Sequence, residues 1–379
     1  MRRLGGTTLS RPSATLSRRE RGKPARDRRL KTAMERRAKA AIFFAALVFI
    51  AGQAAFRWAL SRYPAIGDRE FGRKLDDLRK RSANSRDYAL TIMLGSSRVA
   101  TGFRPDALPP SHAPDGRSMV AFNFAQVGTG PQLAHLVLRR LIAQGVRPDL
   151  VLIEFWPPFW ASDGYLKGYL DPLNIGALNW SDIRLLARYL SKSRHLYEAW
   201  IPSQLTPIFA SRFVLLSRLG GSWSPRFDPD RRLENLDSSG WWAPRSTISD
   251  DDRRKLVAHY RAIYAKRLGG FRIRPVPDRA LHDLLALCRS NGIKAAVVVL
   301  PEGESFRDLY SPAALSSIDA YLSRLREDVP IIDARRWVPD AEFSDGHHLL
   351  PAGATRFTER LGREALPRIV ATSKSVRFR

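Results

Sequence analysis

Tyr88-Ala89-Leu90-Thr91-Ile92-Met93-Leu94, followed at once by Gly95-Ser96-Ser97-Arg98, decides how the soluble part of this chain is read. The first seven residues are apolar with no polar alternation, as in a strand buried on both faces of a parallel sheet. The next four make a sharp polar turn that leaves a serine just beyond the strand's carboxyl end. In open α/β sheets that is where ligand sites form.

Similar apolar runs recur downstream at Met119 to Phe124, Leu150 to Phe155, Lys294 to Leu300 and Pro330 to Asp333. Helical patterns separate them: Pro131 to Gln144, Asp278 to Ser290, and Pro312 to Arg326 with Ser311 as its cap. Strand, helix and strand in repetition predict an α/β sandwich with a parallel sheet of about five strands. Residues 160–275 break the rhythm, being too long for one crossover, and read as a helical insertion. Within it Arg184 to Leu190 and Asp251 to Lys266 read as helices and Gly220 to Ser246 as loop.

Upstream, Ala40 to Phe56 carries no charge, and as a helix would run roughly 26 Å. Trp58 and Leu60 extend it toward the thickness of a bilayer core while Arg57 snorkels. We read residues 40–60 as one transmembrane helix. A buried helix of a soluble domain would need apolar neighbours that the adjoining polar arm lacks, and a cleaved leader would need a small-residue cleavage site that Ala51 to Phe56 does not offer. Glu20 to Lys39 holds nine Lys or Arg against five in Arg57 to Asp76, which puts the N-terminus in the cytoplasm and the main domain outside the inner membrane. Residues 61–87 read as a juxtamembrane linker and 88–370 as the α/β domain, with a basic tail at 371–379.

The 379 residues contain 63 Lys plus Arg against 37 Asp plus Glu. Met1 to Lys39 accounts for 14 of the basic and 3 of the acidic ones. Rich in Arg, Gly, Ser, Thr and Pro, this arm cannot form a core and is expected to be disordered in isolation. Anionic lipid is its plain partner; without interleaved aromatics, charge alone does not argue for nucleic acid. Cys288 is the one cysteine, so an intrachain disulfide and a cysteine-bound zinc are excluded. It falls on the apolar face of Leu281, Leu284 and Leu285 and reads as a core residue.

Near the C-terminal end, Asp345-Gly346-His347-His348 supplies a carboxylate and an imidazole three residues apart. A serine hydroxyl is a weak nucleophile until a base takes its proton and an acid holds that base in one tautomer. Ser97, His348 and Asp345 are candidates for those three roles. Adjacent His347 and His348 face one metal less readily than an i, i+4 pair would, so no metal is expected.

With these blocks in place, the chain resembles the SGNH, or GDSL-type, hydrolase and acyltransferase superfamily. Leu94-Gly95-Ser96-Ser97 is similar to its first block, with Ser96 where many members have Asp. Asn123-Phe124-Ala125-Gln126-Val127-Gly128 is similar to the second, and Asp345-Gly346-His347-His348 to the last. The resemblance implies a flavodoxin-like three-layer sandwich and Ser-His-Asp acyl-enzyme chemistry without a cofactor. It also implies an oxyanion hole that includes the backbone of Gly128, with Asn123 holding the loop or lending its amide. Ser96 followed by Arg98 looks most like membrane-anchored members that act on cell-envelope polymers, including relatives of alginate acetylation proteins and of the D-alanine transfer protein. The expected partners are an acylated polysaccharide or other envelope ester, the inner membrane and, for a transferase, a multi-pass membrane O-acyltransferase. A non-catalytic glycan-binding or assembly component is the alternative.

The chain departs from the family at its third block. G-x-N-D should fall near Trp156-Pro157-Pro158-Phe159, where there is no Asn and two residues have no N–H to donate. Loss of one oxyanion donor costs about 10²- to 10³-fold in rate. Around this point Trp156, with Phe159 and Trp160, could stack on sugar rings or pack the insertion. Glu302 could hydrogen-bond a substrate hydroxyl or sit in a helix-entry loop, and Arg98 could bind an acidic substrate group or pair with a carboxylate of the fold.

Overall fold

In the computed structural model, which describes residues 23–83, 87–163, 175–219 and 233–372, the apolar runs form one five-stranded sheet. Its strands are β1 (Tyr88–Leu94), β2 (Ser118–Asn123), β3 (Leu150–Phe155), β4 (Lys294–Val299) and β5 (Ile331–Asp333). All neighbours are parallel and the order is β2-β1-β3-β4-β5, the doubly wound order of flavodoxin-like sandwiches. The sheet switches winding direction between β1 and β3, where the turn after β1 carries Ser97.

Besides the single turns Pro157–Trp160 and Glu304–Arg307, the described helices are labelled α1 (Lys23–Arg62), α2 (Arg69–Ala83), α3 (Ser97–Gly102), α4 (Pro131–Ala143), α5 (Trp180–Ala187), α6 (Arg194–Leu205), α7 (Pro207–Ala210), α8 (Arg212–Leu219), α9 (Asp250–Gly269), α10 (Pro275–Ser290), α11 (Pro312–Leu325), α12 (Pro351–Arg360) and α13 (Leu366–Thr372). Strand side chains alternate between the two faces of the sheet. Leu90, Ile92 and Leu94 of β1, with Val151, Ile153 and Phe155 of β3, pack against α2, α4, α10 and α11. Met93, Leu152, Ala296 and Val298 face the other way, against α3, α12 and α13. The result is three layers, helix, sheet and helix, with both sheet faces dry.

Residues 61–87, expected as a linker, instead hold α2. Phe71, Leu75 and Leu78 recur at i, i+4 and i+7 and are all buried in the first face's core. Between them Lys74 is fully buried and donates to the Ala125 carbonyl, with Glu70 3.4 Å away. Burial pushes its pKa down and Glu70 opposes that. Cys288 is buried on α10, and burial pushes its thiol up to about 12.

The chain divides into two units, Met1–Phe56 and Arg57–Arg379. In the first, the helix begins at Lys23, so the expected disorder of the arm does not extend to Lys39; residues 1–22 lie outside the described ones. From Lys31 to Arg62 the helix is long and apolar enough to cross a membrane, and Phe43, Leu47 and Ile50 lie exposed along it.

The described part of the insertion is largely helical, with Trp180–Ala187 (α5) starting and ending earlier than the expected Arg184 to Leu190, and Asp250–Gly269 (α9) covering the expected Asp251 to Lys266. Of the expected loop, residues 220–232 lie outside the described ones, as does 373–379 of the basic tail. The rest of that loop is a clamp. Leu236 bridges Trp242, the Trp241 indole donates to the Thr101 carbonyl at 2.7 Å, and the Trp242 N–H donates to Ala100. Gly240 turns the corner at φ +80, where a Cβ would lie 2.2 Å from the Asn123 carbonyl.

Candidate active site

Ser97 is the first residue of α3, with Ser96 as the cap whose hydroxyl accepts from the Arg98 N–H. The turn is held from beneath. The Ser96 N–H donates to Glu154 Oε2 at 2.6 Å, and β3 comes so close that a Cβ on Gly95 would lie 2.7 Å from that same oxygen. From the other end, the Asn123 amide donates to the carbonyls of Val99 at 2.8 Å and Phe103 at 2.6 Å. The start and the end of the helix that carries Ser97 are thus both tied to the sheet.

The histidine loop reaches the same place from 251 residues away. Gly346 turns at φ +90 and its carbonyl accepts from the Gly303 N–H beyond β4, while the Ser344 N–H closes on the His348 carbonyl. Asp345 Oδ1 accepts the backbone N–H groups of His347 and His348, which leaves Oδ2 for the imidazole. The geometry is then linear in logic: His348 Nδ1 lies 2.6 Å from Asp345 Oδ2, and Ser97 Oγ lies 2.8 Å from His348 Nε2. With Nδ1–H directed to the carboxylate, Nε2 is the free base that accepts the Ser97 O–H. Burial pushes the Asp345 carboxyl up, but the imidazoles of His348 and His347 and the bonds to this loop outweigh it and hold it well below the usual carboxylate range.

His347 is buried under this pair. Its ring stacks on Trp156 at 5.4 Å and meets Tyr260 of α9 edge-on at 4.5 Å. Burial and the neighbouring His348 push its pKa well down, opposed by Asp345. The donor atoms of Asp345, His347 and His348 lie within 4.8 Å of one another, a spacing compatible with an ion, but the best of them are already committed to the serine relay.

The other expected site groups lie below the site instead of lining it. Arg98 is 1% exposed; it donates to the carbonyls of His347, Leu300 and Pro301 and lies 3.5 Å from Glu154 and 3.7 Å from Glu302. It is a strut joining the serine turn, β3, β4 and the histidine loop, and is closed to substrate. Glu302 is fully buried, accepting from Tyr310 at 2.9 Å. Trp156 is 3% exposed, wedged among His347, Phe159, Tyr264 and Phe306, so of its two readings packing is the one realised. The Asn123 amide is spent on α3 and cannot serve an oxyanion. Arg98, Trp156 and Glu302 read as site groups in sequence because they follow strand ends, a position that also serves to lock strand ends together.

Gly128 sits at φ +76, and its N–H, like that of Ser97, meets no acceptor among the described residues. The Gln126 N–H ties this loop to the Gly95 carbonyl beside the serine. Trp156-Pro157-Pro158 begins a short helix whose first positions are proline and add no donor. Sequence reasoning missed Glu154, although a lone carboxylate in the run Leu150-Val151-Leu152-Ile153-Glu154-Phe155 was its signal. Tyr260 carried none, because only the folding of α9 over the histidine loop brings it there.

A family model described as "Protein of unknown function (DUF1574)" matches residues 69–170, from α2 to just beyond β3. No curated protein matches the chain. Among solved structures, a Bacteroides fragilis protein described as a "putative acylhydrolase" is similar at 12% identity and a TM-score of 0.33, over 78% of this chain and 98% of that one.

Proposed function

We propose that the protein is a membrane-anchored serine esterase or O-acyltransferase of SGNH type, acting outside the inner membrane on acyl groups, acetyl foremost, of an envelope or exported polysaccharide. The observation that carries this is the unbroken relay Ser97 Oγ, His348 Nε2, His348 Nδ1, Asp345 Oδ2, with spacings of 2.8 and 2.6 Å.

The chemistry follows from the relay. As Ser97 Oγ attacks an ester carbonyl, His348 Nε2 takes its proton and Asp345 stabilises the resulting imidazolium. Collapse of the tetrahedral adduct breaks the C–O bond, and His348 returns the proton to the departing alkoxide. A water or a sugar hydroxyl then gives its proton to His348 and attacks the acyl-serine, freeing Ser97 and releasing an acid or a new ester. The N–H groups of Ser97 and Gly128 are the oxyanion donors. Polysaccharide as substrate rests on the resemblance together with the single anchor. A transferase needs an acyl donor passed across the membrane, and a multi-pass acyltransferase is the fitting partner.

A second reading, a glycan-binding or assembly component that keeps the fold without turnover, is favoured by Trp156-Pro157-Pro158, which has no third oxyanion donor. The full chain in detergent, treated with a serine-directed fluorophosphonate, separates the two. Labelling of the parent but not of Ser97→Ala supports the enzyme; failure of both to label, with the fold intact by circular dichroism, supports the binding role. Acetate release from an acetylated polysaccharide, with and without a deacetylated acceptor, then divides hydrolysis from transfer.

A further inference from the structure

The insertion exposes large apolar side chains on consecutive helices. Ile201 and Leu205 of α6 are 52% and 71% exposed, and Phe209 of α7 is 63% exposed with the Arg212 guanidinium 4.0 Å over its ring. Leu216 of α8 and Trp180 of α5 are also more than half exposed. Large apolar side chains exposed on successive helices suit a partner or a membrane.

Its position identifies which. Arg57, the first charged residue after the apolar run, donates to the Gly176 carbonyl at 2.8 Å and the Leu178 carbonyl at 3.3 Å. The same two carbonyls accept from α6: Gln204 Nε2 reaches Gly176 at 3.4 Å and Trp200 Nε1 reaches Leu178 at 2.9 Å. Helix α6 therefore adjoins Arg57, and Ile201 and Leu205 each follow by one position the residues that make the contact. Trp58 and Tyr63, both exposed just beyond this point, are residue types that collect at the headgroup level. Trp180, Tyr197 and Trp200 cluster beside the patch, with Trp180 5.8 and 5.5 Å from the other two rings.

We infer that the α6–α8 face of the insertion lies in the outer boundary of the same bilayer that α1 spans, its apolar side chains among the upper acyl carbons and Arg212 at the phosphates. The inference rests on the membrane-spanning reading of α1 and adds a second, in-plane attachment to it. The occupant is phospholipid, because the patch continues a membrane exit and carries arginine at its margin.

The test uses the full chain in vesicles of zwitterionic and anionic phospholipid, with bimane placed on single introduced cysteines. Cys288 is buried, so the unsubstituted chain serves as the blank. Leu205→Cys and Phe209→Cys report on the patch. Leu315→Cys, on the exposed face of α11, is the solvent reference, and Phe49→Cys reports on the span. Circular dichroism checks each variant. Lipids carrying a nitroxide near the headgroup are expected to quench positions 205 and 209 strongly and 315 not at all, while a nitroxide deep in the chain quenches 49. If 205 and 209 match 315 while 49 is quenched, the patch faces water or a protein and the inference is overturned with the span intact. If 49 escapes quenching, the spanning reading has failed first, and the inference falls with it.

Discussion

Arg98 holds a single positive charge between two buried carboxylates, Glu154 at 3.5 Å and Glu302 at 3.7 Å. Burial pushes both acids up in pKa, opposed in each case by Arg98. One guanidinium and two acids in a dry site favour a proton on one of them, and Glu302 Oε2, which meets no partner among the described residues, is the place for it. Two outcomes are expected in denaturant unfolding. Arg98→Met, which strands both acids, lowers stability by about 3–5 kcal/mol. Glu302→Gln, which keeps the shape and the charge state of a protonated acid, costs less than about 1 kcal/mol. His135 sets a separate acid limit. Its ring is buried against Tyr189 at 2.7 Å, and burial pushes its pKa down to about 4. A base whose folded pKa is depressed stays neutral in the native state while the unfolded chain takes up protons. The stability it allows is therefore whole above the unfolded value near 6.5 and drains as the pH falls toward 4. Melting scans across that window should show a loss on the order of 2–3 kcal/mol that His135→Gln reduces.

At the scale of elements, the helix that carries Ser97 is short and owes its place to others. Asn123 caps its last carbonyls, and the clamp at residues 236–243 takes the carbonyls of Ala100 and Thr101. Asn123→Ala should cost roughly 2–4 kcal/mol through buried carbonyls left unpaired, and should lower fluorophosphonate labelling at Ser97 in the same preparation. Much of this architecture can be read before folding. The strands are continuous apolar runs between turn residues, and β1 and β3 fall on the bounds that their composition implies. Asp345 and His348 are three residues apart in one loop, so their pairing is local. What could not be read is what burial does to polar residues. In α2 the three large apolar residues are spread among nine charged ones, so a core helix passes for a linker. Arg98, Glu302 and Trp156 look like substrate groups until their surroundings close over them.

For the whole molecule, the N-terminal helix from Lys31 to Arg62 is long and apolar enough to cross a membrane, and the proposed function rests on its doing so. The full chain is expected to stay with the membrane pellet through alkaline carbonate extraction. A cysteine introduced at Asp251, exposed at the start of α9, should react with a membrane-impermeant maleimide added to intact cells stripped of their outer layer. Protection of that cysteine until the cells are lysed would place Ser97, His348 and Asp345 on the cytoplasmic side and remove envelope polymers from their reach.

The insertion contributes both a roof, through Tyr260 over His347, and a floor, through Trp241 and Trp242 beneath the serine helix. Excising residues 160–275 to obtain a minimal catalyst would therefore unseat the hydroxyl as surely as it uncovers the imidazole. A trimmed variant that remains useful must splice within the stretch before Leu233, leaving that one continuous length of chain to grip the relay from both sides.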